Sequence, residues 1–313
     1  MTTTVAIEVD DLFHSYGERP ALGGVSLSIE AGEVFAIVGP NGGGKTTLFR
    51  VLTTLIPPQR GTVRIWGLDV HDQASRVRRC IGVVFQAASL DRKLTVLENL
   101  QQQAALYGVS RTIFRQRSEM LLSELGLVDR RRDLVETLSG GLRRRVELAK
   151  GMIHQPRLLL MDEPTTGLDP GVRSDLWRYL HQLRDEFGVT IVLTTHLLDE
   201  ADRADRLAIL NQGEIVAMDK PAVLRDSVGG DSITIDTHDP AALAAEIRKR
   251  FGVDATVIDG SVRLEQPDGP AWVPRLAAEF SDQTRAIHVG RPTLEDVFIS
   301  RTGHRFWQDH IEH

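Results

Sequence analysis

The run Gly39-Pro40-Asn41-Gly42-Gly43-Gly44-Lys45-Thr46 constrains this chain more than any other stretch of it. It fits the pattern G-x-x-x-x-G-K-[ST], follows the apolar strand-like VFAIV and precedes the helix-like TTLFRVLTTL. Strand, glycine loop and helix in that order form a cradle for a polyphosphate. Glycines at 42, 43 and 44 let the backbone approach the phosphates and turn its N–H groups inward, and the helix N-terminus beyond adds a field that favours anions. Lys45 supplies a point charge and Thr46 a hydroxyl for Mg²⁺; Thr47 completes the candidate phosphate-binding set.

A loop of this kind needs a buried sheet beneath it. Glu33 to Val38, Leu158 to Met161 and Thr190 to Thr195 are short apolar runs of the sort that parallel strands show when both faces are covered, so residues Ala6 to Gln212 read as an α/β sandwich. Two of these strands end in candidate chemistry. Leu158-Leu-Leu-Met161 delivers Asp162 and Glu163 at its C-terminal end, the edge at which open α/β sheets bind ligands. Successive strand residues point to opposite sides, which gives the two carboxylates different tasks. Asp162 is placed to hold Mg²⁺ through water, and Glu163 to orient or deprotonate an attacking water. Thr190 to Thr195 ends in His196 on the same edge, where it either contacts the terminal phosphate or holds Glu163 and the water in line.

Between Gln86 and Arg132 the character changes to polar segments with apolar residues at helical spacing, a helical subdomain set at about 87–150. After Gly213 the sheet pattern ends in EIVAMDK, and Pro221, Gly229 and Gly230 mark a boundary between a first domain, 1–228, and a second, 232–313. The second reads as a strand (SITIDT), a helix (PAALAAEIRKRF), a hairpin turning at Asp259-Gly260, another helix and a strand (AIHVG), a small α+β layer. There is no internal repeat.

With 37 basic against 43 acidic residues, the net charge of −6 gives no general drive toward nucleic acid or anionic lipid. No apolar run approaches the roughly 20 residues that span a bilayer, and MTTTVAIEVDD lacks the look of a secretory signal. Any membrane contact is therefore expected to run through another protein, on the cytoplasmic side. The single cysteine, Cys80, excludes an internal disulfide and is read as a small buried side chain. The four tryptophans, Trp66, Trp177, Trp272 and Trp307, are read as packing.

These residues resemble a family, the ATP-binding-cassette ATPases. Leu138-Ser139-Gly140-Gly141 is similar to the family signature, Gln86 in VVFQ to its glutamine loop, Gly167-Leu-Asp169 to its D-loop, and Tyr16 in HSYGERPAL to the aromatic residue that stacks on adenine. The resemblance covers Ala6 to about Gly213. It implies a P-loop NTPase fold with ATP and Mg²⁺ as ligands, and Gln86 beside Thr46 and Asp162 at the metal. It also implies that Ser139, Gly140 and Gly141 face ATP held by a second copy, so two chains pair head to tail around two nucleotides. Closure and opening would pass to integral-membrane permease subunits through the region near Gln86.

Within that family Leu142-Arg-Arg-Arg, LTVLENL and the ending Pro292-Thr-Leu-Glu-Asp-Val-Phe298 most resemble the drug-export ATPases of the daunorubicin-resistance type. This implies efflux of a hydrophobic, antibiotic-like compound, with the second domain in regulation or dimerisation. Leu142 departs from the family's usual glutamine and cannot hydrogen-bond. The Arg143 to Arg145 run is either a solvated basic face or a contact with phosphate or permease. An importer ATPase would share the catalytic motifs. A soluble switch would carry two cassettes or long coiled coils, and an ATP-locked regulator would lack Glu163 or His196.

Overall fold

Buried and exposed residues alternate along VAIEVDDLFHSY and RPALGGVSLSIE, and these become β1 (Val5–Tyr16) and β2 (Arg19–Glu30), an antiparallel pair with one face on the core. β3 (Val34–Val38) shows no alternation: all five residues are buried, as a strand covered on both faces requires. The glycine loop follows it and leads into α1 (Lys45–Leu52). β4 (Arg60–Ile65) pairs with β1, β5 (Leu68–Asp69) with β4, and the resulting sheet has the order β2-β1-β4-β5. The structure, a computed structural model, describes residues 4–306.

α2 (Ala74–Cys80) runs into β6 (Ile81–Val84). Three helices then follow, α3 (Val96–Leu106), α4 (Arg111–Glu124) and α5 (Gly140–Met152). Each starts at a side chain that accepts a backbone N–H otherwise without a helical partner: Thr95, in a capping box with Glu98, then Ser110 and Ser139. β7 (Leu158–Asp162), α6 (Pro170–Phe187), β8 (Thr190–Thr195) and the short α7 (Leu198–Ala201) complete this unit. Asp169 caps α6, Pro170 occupies its first turn and Gly188 closes it in a left-handed conformation.

The parallel strands lie in the order β3-β8-β7-β6, with Val38 opposite Thr195, Asp162 opposite Thr194 and Val84 opposite Met161. That register brings the C-terminal ends of the four strands to one edge. The glycine loop, His196 and Glu163 follow directly from three of those ends and Gln86 stands two residues past the fourth, so the topology alone gathers them.

β9 (Arg206–Asn211) and β10 (Glu214–Asp219) carry the chain onward. By compactness the first unit runs to Arg206 and includes Leu210–Ile215, while the second comprises Leu207–Ile209 and the chain from Val216 on. This division falls before the glycine pair at 229 and 230, because α8 (Pro221–Asp226) packs against the last helix of the second unit.

In the second unit, β11 (Asp231–Thr237), α9 (Pro240–Phe251), β12 (Thr256–Ile258), β13 (Ser261–Gln266), α10 (Gly269–Glu279), β14 (Thr284–Gly290) and α11 (Leu294–Thr302) follow in turn. The sheet order is β12-β13-β11-β14, all antiparallel. The β12–β13 hairpin turns at Asp259 and Gly260, both with positive φ, 46° and 77°. Ile233, Ile235, Val262 and Leu264 share a core with Leu243 and Ile247 from α9, Leu276 from α10 and Phe280 just after it. Their neighbours Ser232 and Arg263 point the other way and meet α11 through Asp296. The PTLEDVF segment, legible in the sequence only as a motif, forms the start of α11, with Thr293 and Asp296 in a capping box.

Among the described residues no helix is long and apolar enough to cross a membrane. Cys80 proves only half-buried, since it ends α2 as the chain turns into β6. Trp66 lies under the guanidinium of Arg157, 3.7 Å from its ring centre. Trp177 is buried, and Trp272 meets Phe251 edge-on. Trp307 lies outside the described residues.

Candidate active site

The loop between β3 and α1 is shaped by what a side chain would strike. A Cβ on Gly39 would stand 2.1 Å from the carbonyl oxygen of Leu210, and one on Gly44, whose φ is 106°, 2.7 Å from that of Ala21. Neither position admits another residue without moving backbone. Lys45, 5% exposed, donates from Nζ to the carbonyls of Gly39 (2.7 Å) and Pro40 (3.0 Å). Burial pulls the Lys45 pKa down, against Glu163 and Asp162, which raise it. Gly43 departs from the expectation that its N–H turns toward a ligand. Its N–H donates to Pro40 O and its carbonyl accepts from Gly213, so it serves as the floor of the loop.

Asp162 and Glu163 do separate, though by a different device from strand pleating. β7 ends at Asp162, and Glu163 takes φ 42°, a left-handed conformation that costs a non-glycine residue about 1–2 kcal/mol. The turn is held by the Glu163 N–H, which donates to the carbonyl and hydroxyl oxygens of Thr194. Asp162 stays buried and accepts from the Thr194 hydroxyl at 2.5 Å. Burial raises its pKa and Glu163 adds to the rise, while the Thr194 hydrogen bond, Lys45 and Arg50 oppose it.

Glu163 is the hub of the site. Its Oε2 accepts from Gln86 Nε2 (3.2 Å) and Thr166 Oγ1 (3.2 Å) and lies 3.0 Å from His196 Nδ1, while its Oε1 is 3.9 Å from Lys45 Nζ. Together with Tyr16, Asn41, Gly42, Gly44, Thr46 and Thr47, the residues Lys45, Gln86, Glu163 and His196 line one cleft of about 590 Å³, within the range of small-molecule sites. Arg19, Pro20, Ala21 and Thr166 line it too and were not singled out by the sequence. Tyr16 is 46% exposed, a ring open to a stacking partner, and its hydroxyl accepts from Arg50. Thr46, Gln86 and Asp162 offer hydroxyl, amide and carboxylate oxygens, the donor set Mg²⁺ takes.

Ser139, Gly140 and Gly141 do not line this cleft. Ser139 caps α5 through Leu142 N and is exposed with Gly140. Gly141 is small for a packing reason, since a Cβ there would stand 2.9 Å from Val172 at the start of α6. Arg144 and Arg145, in the run that follows, correct the reading of a solvated basic face. Arg144 donates to the carbonyls of Pro164 (2.7 Å), Phe85 (2.7 Å) and Asp162 (3.4 Å). Arg145 reaches Leu125 O and Asp175. Three adjacent arginines carry no spacing from which such partners could be read.

A family model described as "ABC transporter" matches residues 22–166. The chain belongs to the ATP-binding-cassette transporter ATPases: it binds ATP with Mg²⁺ and hydrolyses ATP. It is 39% identical to the daunorubicin/doxorubicin resistance ATP-binding protein of Streptomyces peucetius, over 96% of this chain and 93% of the relative. It is 36% identical to a Nod factor export ATP-binding protein of Rhizobium meliloti (strain 1021), over 96% of this chain and 89% of that one. A dimeric bacterial ABC transporter cassette superposes with a TM-score of 0.63 at 31% identity, covering 68% of this chain and 98% of that structure.

Proposed function

We propose that this chain energises export of a hydrophobic, antibiotic-like compound, working as a head-to-tail homodimer on the cytoplasmic face of the membrane beneath separate permease subunits. The observation that carries the catalytic part is the convergence of Gln86, Thr166, His196 and Lys45 on Glu163 at the mouth of one cleft. Resistance and export in the names of the full-length relatives support the direction of transport. The dimeric neighbour supports the pairing, as does the exposure of Ser139 and Gly140 away from the chain's own cleft.

In this reading Tyr16 stacks on adenine, and Gly39 to Gly44 shape the phosphate cradle. Within it Asn41, Gly42, Gly44 and Thr47 face the phosphates and Lys45 meets the terminal ones. Thr46, Gln86 and Asp162 hold Mg²⁺, which supplies charge neutralisation to the phosphate oxygens when bound. Glu163 orients a water and receives its proton as the water oxygen bonds to the γ-phosphorus and the bond to the ADP oxygen breaks. His196 fixes the carboxylate in line. Ser139, Gly140 and Gly141 present the N-terminus of α5 to the nucleotide of the second copy, so a closed dimer requires the γ-phosphate and loosens after hydrolysis. The second unit stabilises or regulates that dimer.

Glu163→Gln keeps the shape and removes the proton acceptor. Loss of general-base chemistry costs roughly 10²- to 10⁴-fold, so kcat for ATP is expected to fall by that much while size-exclusion chromatography in ATP and Mg²⁺ shows an accumulated dimer. Turnover at the wild-type rate would remove Glu163 from the mechanism.

A further inference from the structure

The three backbone carbonyls bound by Arg144 are not a random set. Phe85 immediately precedes Gln86, and Asp162 and Pro164 stand on either side of Glu163. Gln86 and Glu163 are themselves joined side chain to side chain. One guanidinium therefore grips the main chain next to both members of that pair. We propose that Arg144 is a positioning residue for hydrolysis, holding Gln86 and Glu163 in register from the helix that begins at Ser139.

The local structure explains why such a grip is needed. The β6–β7 ladder stops at Val84 and Met161, so the carbonyls of Phe85 and Asp162 each belong to the residue just beyond its last pair. Glu163 itself sits in a left-handed conformation, which persists only when its surroundings hold it. Three different nitrogens of Arg144, Nε, Nη1 and Nη2, each take one carbonyl. Arginine alone offers that planar fan of donors; a lysine has a single nitrogen.

The same face of α5 secures the far side of the Gln86 loop. Glu147, buried and one turn beyond Arg144, accepts from Ser89 N (2.6 Å) and Ser89 Oγ (3.1 Å), and Lys150 Nζ donates to Ser89 O (2.5 Å). Gln86 thus lies between two anchors on one helix. A shift of α5 at Ser139 is felt by Gln86 and Glu163 together, which ties water positioning to the engagement of the helix N-terminus.

This proposal rests on the catalytic reading of Glu163. The test uses the full chain, wild type, Arg144→Gln and Arg144→Lys, with steady-state ATPase kinetics and MgADP titration. A misplacement of about 1 Å can cost on the order of 100-fold. Both variants are therefore expected to lose roughly tenfold or more in kcat, with KM for ATP and Kd for MgADP within about threefold of wild type. Retained kcat in Arg144→Lys would overturn the need for the three-donor grip. Loss of MgADP binding alongside kcat would reduce Arg144 to a structural strut. Either result, with an active wild type, leaves the role of Glu163 standing; an inactive wild type brings down both.

Discussion

Replacing Asp296 by alanine tests how the second unit is held together. Asp296 is 8% exposed and its Oδ1 lies 2.6 Å from Nη1 of Arg263, itself 7% exposed. Its Oδ2 accepts from the N–H (2.6 Å) and hydroxyl (2.9 Å) of Thr293, while Thr293 Oγ1 accepts from Asp296 N, closing a capping box at the start of α11. Removing one partner of a buried ion pair costs about 3–5 kcal/mol, while the cap bond from the backbone N–H of residue 296 to Thr293 Oγ1 survives the change. Glu265, 3.6 Å from Arg263 Nη2, keeps part of the countercharge and draws the cost toward the lower end, about 3 kcal/mol.

For a unit of this size each kcal/mol moves the midpoint by about 4–8 °C, so the second unit should melt about 12–24 °C earlier than in wild type. Scanning calorimetry should then show two transitions, with hydrogen exchange accelerated across α11 and β13 first. Replacing both charges, Arg263→Met with Asp296→Leu, should recover most of the loss, because no buried charge is left alone. A midpoint within 4 °C of wild type for Asp296→Ala would show that the Asp296–Arg263 pair does not brace the unit. If the second unit stabilises the dimer, the same variant also lowers the dimer fraction in ATP on size-exclusion chromatography; an unchanged fraction assigns that unit another task.

Gly39→Ala should destabilise the first unit by about 1–3 kcal/mol and weaken MgADP binding, because its Cβ would meet the Leu210 carbonyl at 2.1 Å; a wild-type urea midpoint and Kd would contradict this. His154 stacks on Tyr107 with ring centres 3.7 Å apart and has Nε2 2.9 Å from Ile81 O. Burial lowers its pKa, with Arg117 adding and the Ile81 bond opposing. The folded state then binds fewer protons than the unfolded one below pH 6.5, so this group's contribution is full above pH 6.5 and is lost as pH falls toward the folded pKa. His154→Gln, which keeps a donor for Ile81, should flatten the decline of the melting temperature between about pH 7.5 and 5.5; an equally steep decline would exclude His154.

Elements whose cause is local are legible in the chain alone. Strand, glycine loop and helix follow one another around Lys45, and three apolar runs announce parallel strands because both their faces are buried. The ends of those strands identify Glu163 and His196, since a parallel sheet collects its C-terminal ends on one edge. The Asp259-Gly260 turn is legible for the same reason, as two residues suited to positive φ between two strand-like runs.

The remaining features depend on partners far apart in the chain. Periodicity says which face of a helix is buried and never against what, so Arg143, Arg144 and Arg145 look alike until the ends of β6 and β7 arrive beside one of them. The left-handed turn at Glu163 is likewise invisible in its residue type, because it is imposed by Thr194 on a neighbouring strand. Asp296 reads as one letter of a motif until β13 brings Arg263 to it. That Ser139 and Gly140 stand exposed and outside the chain's own cleft is likewise settled by where α5 packs, not by residue type.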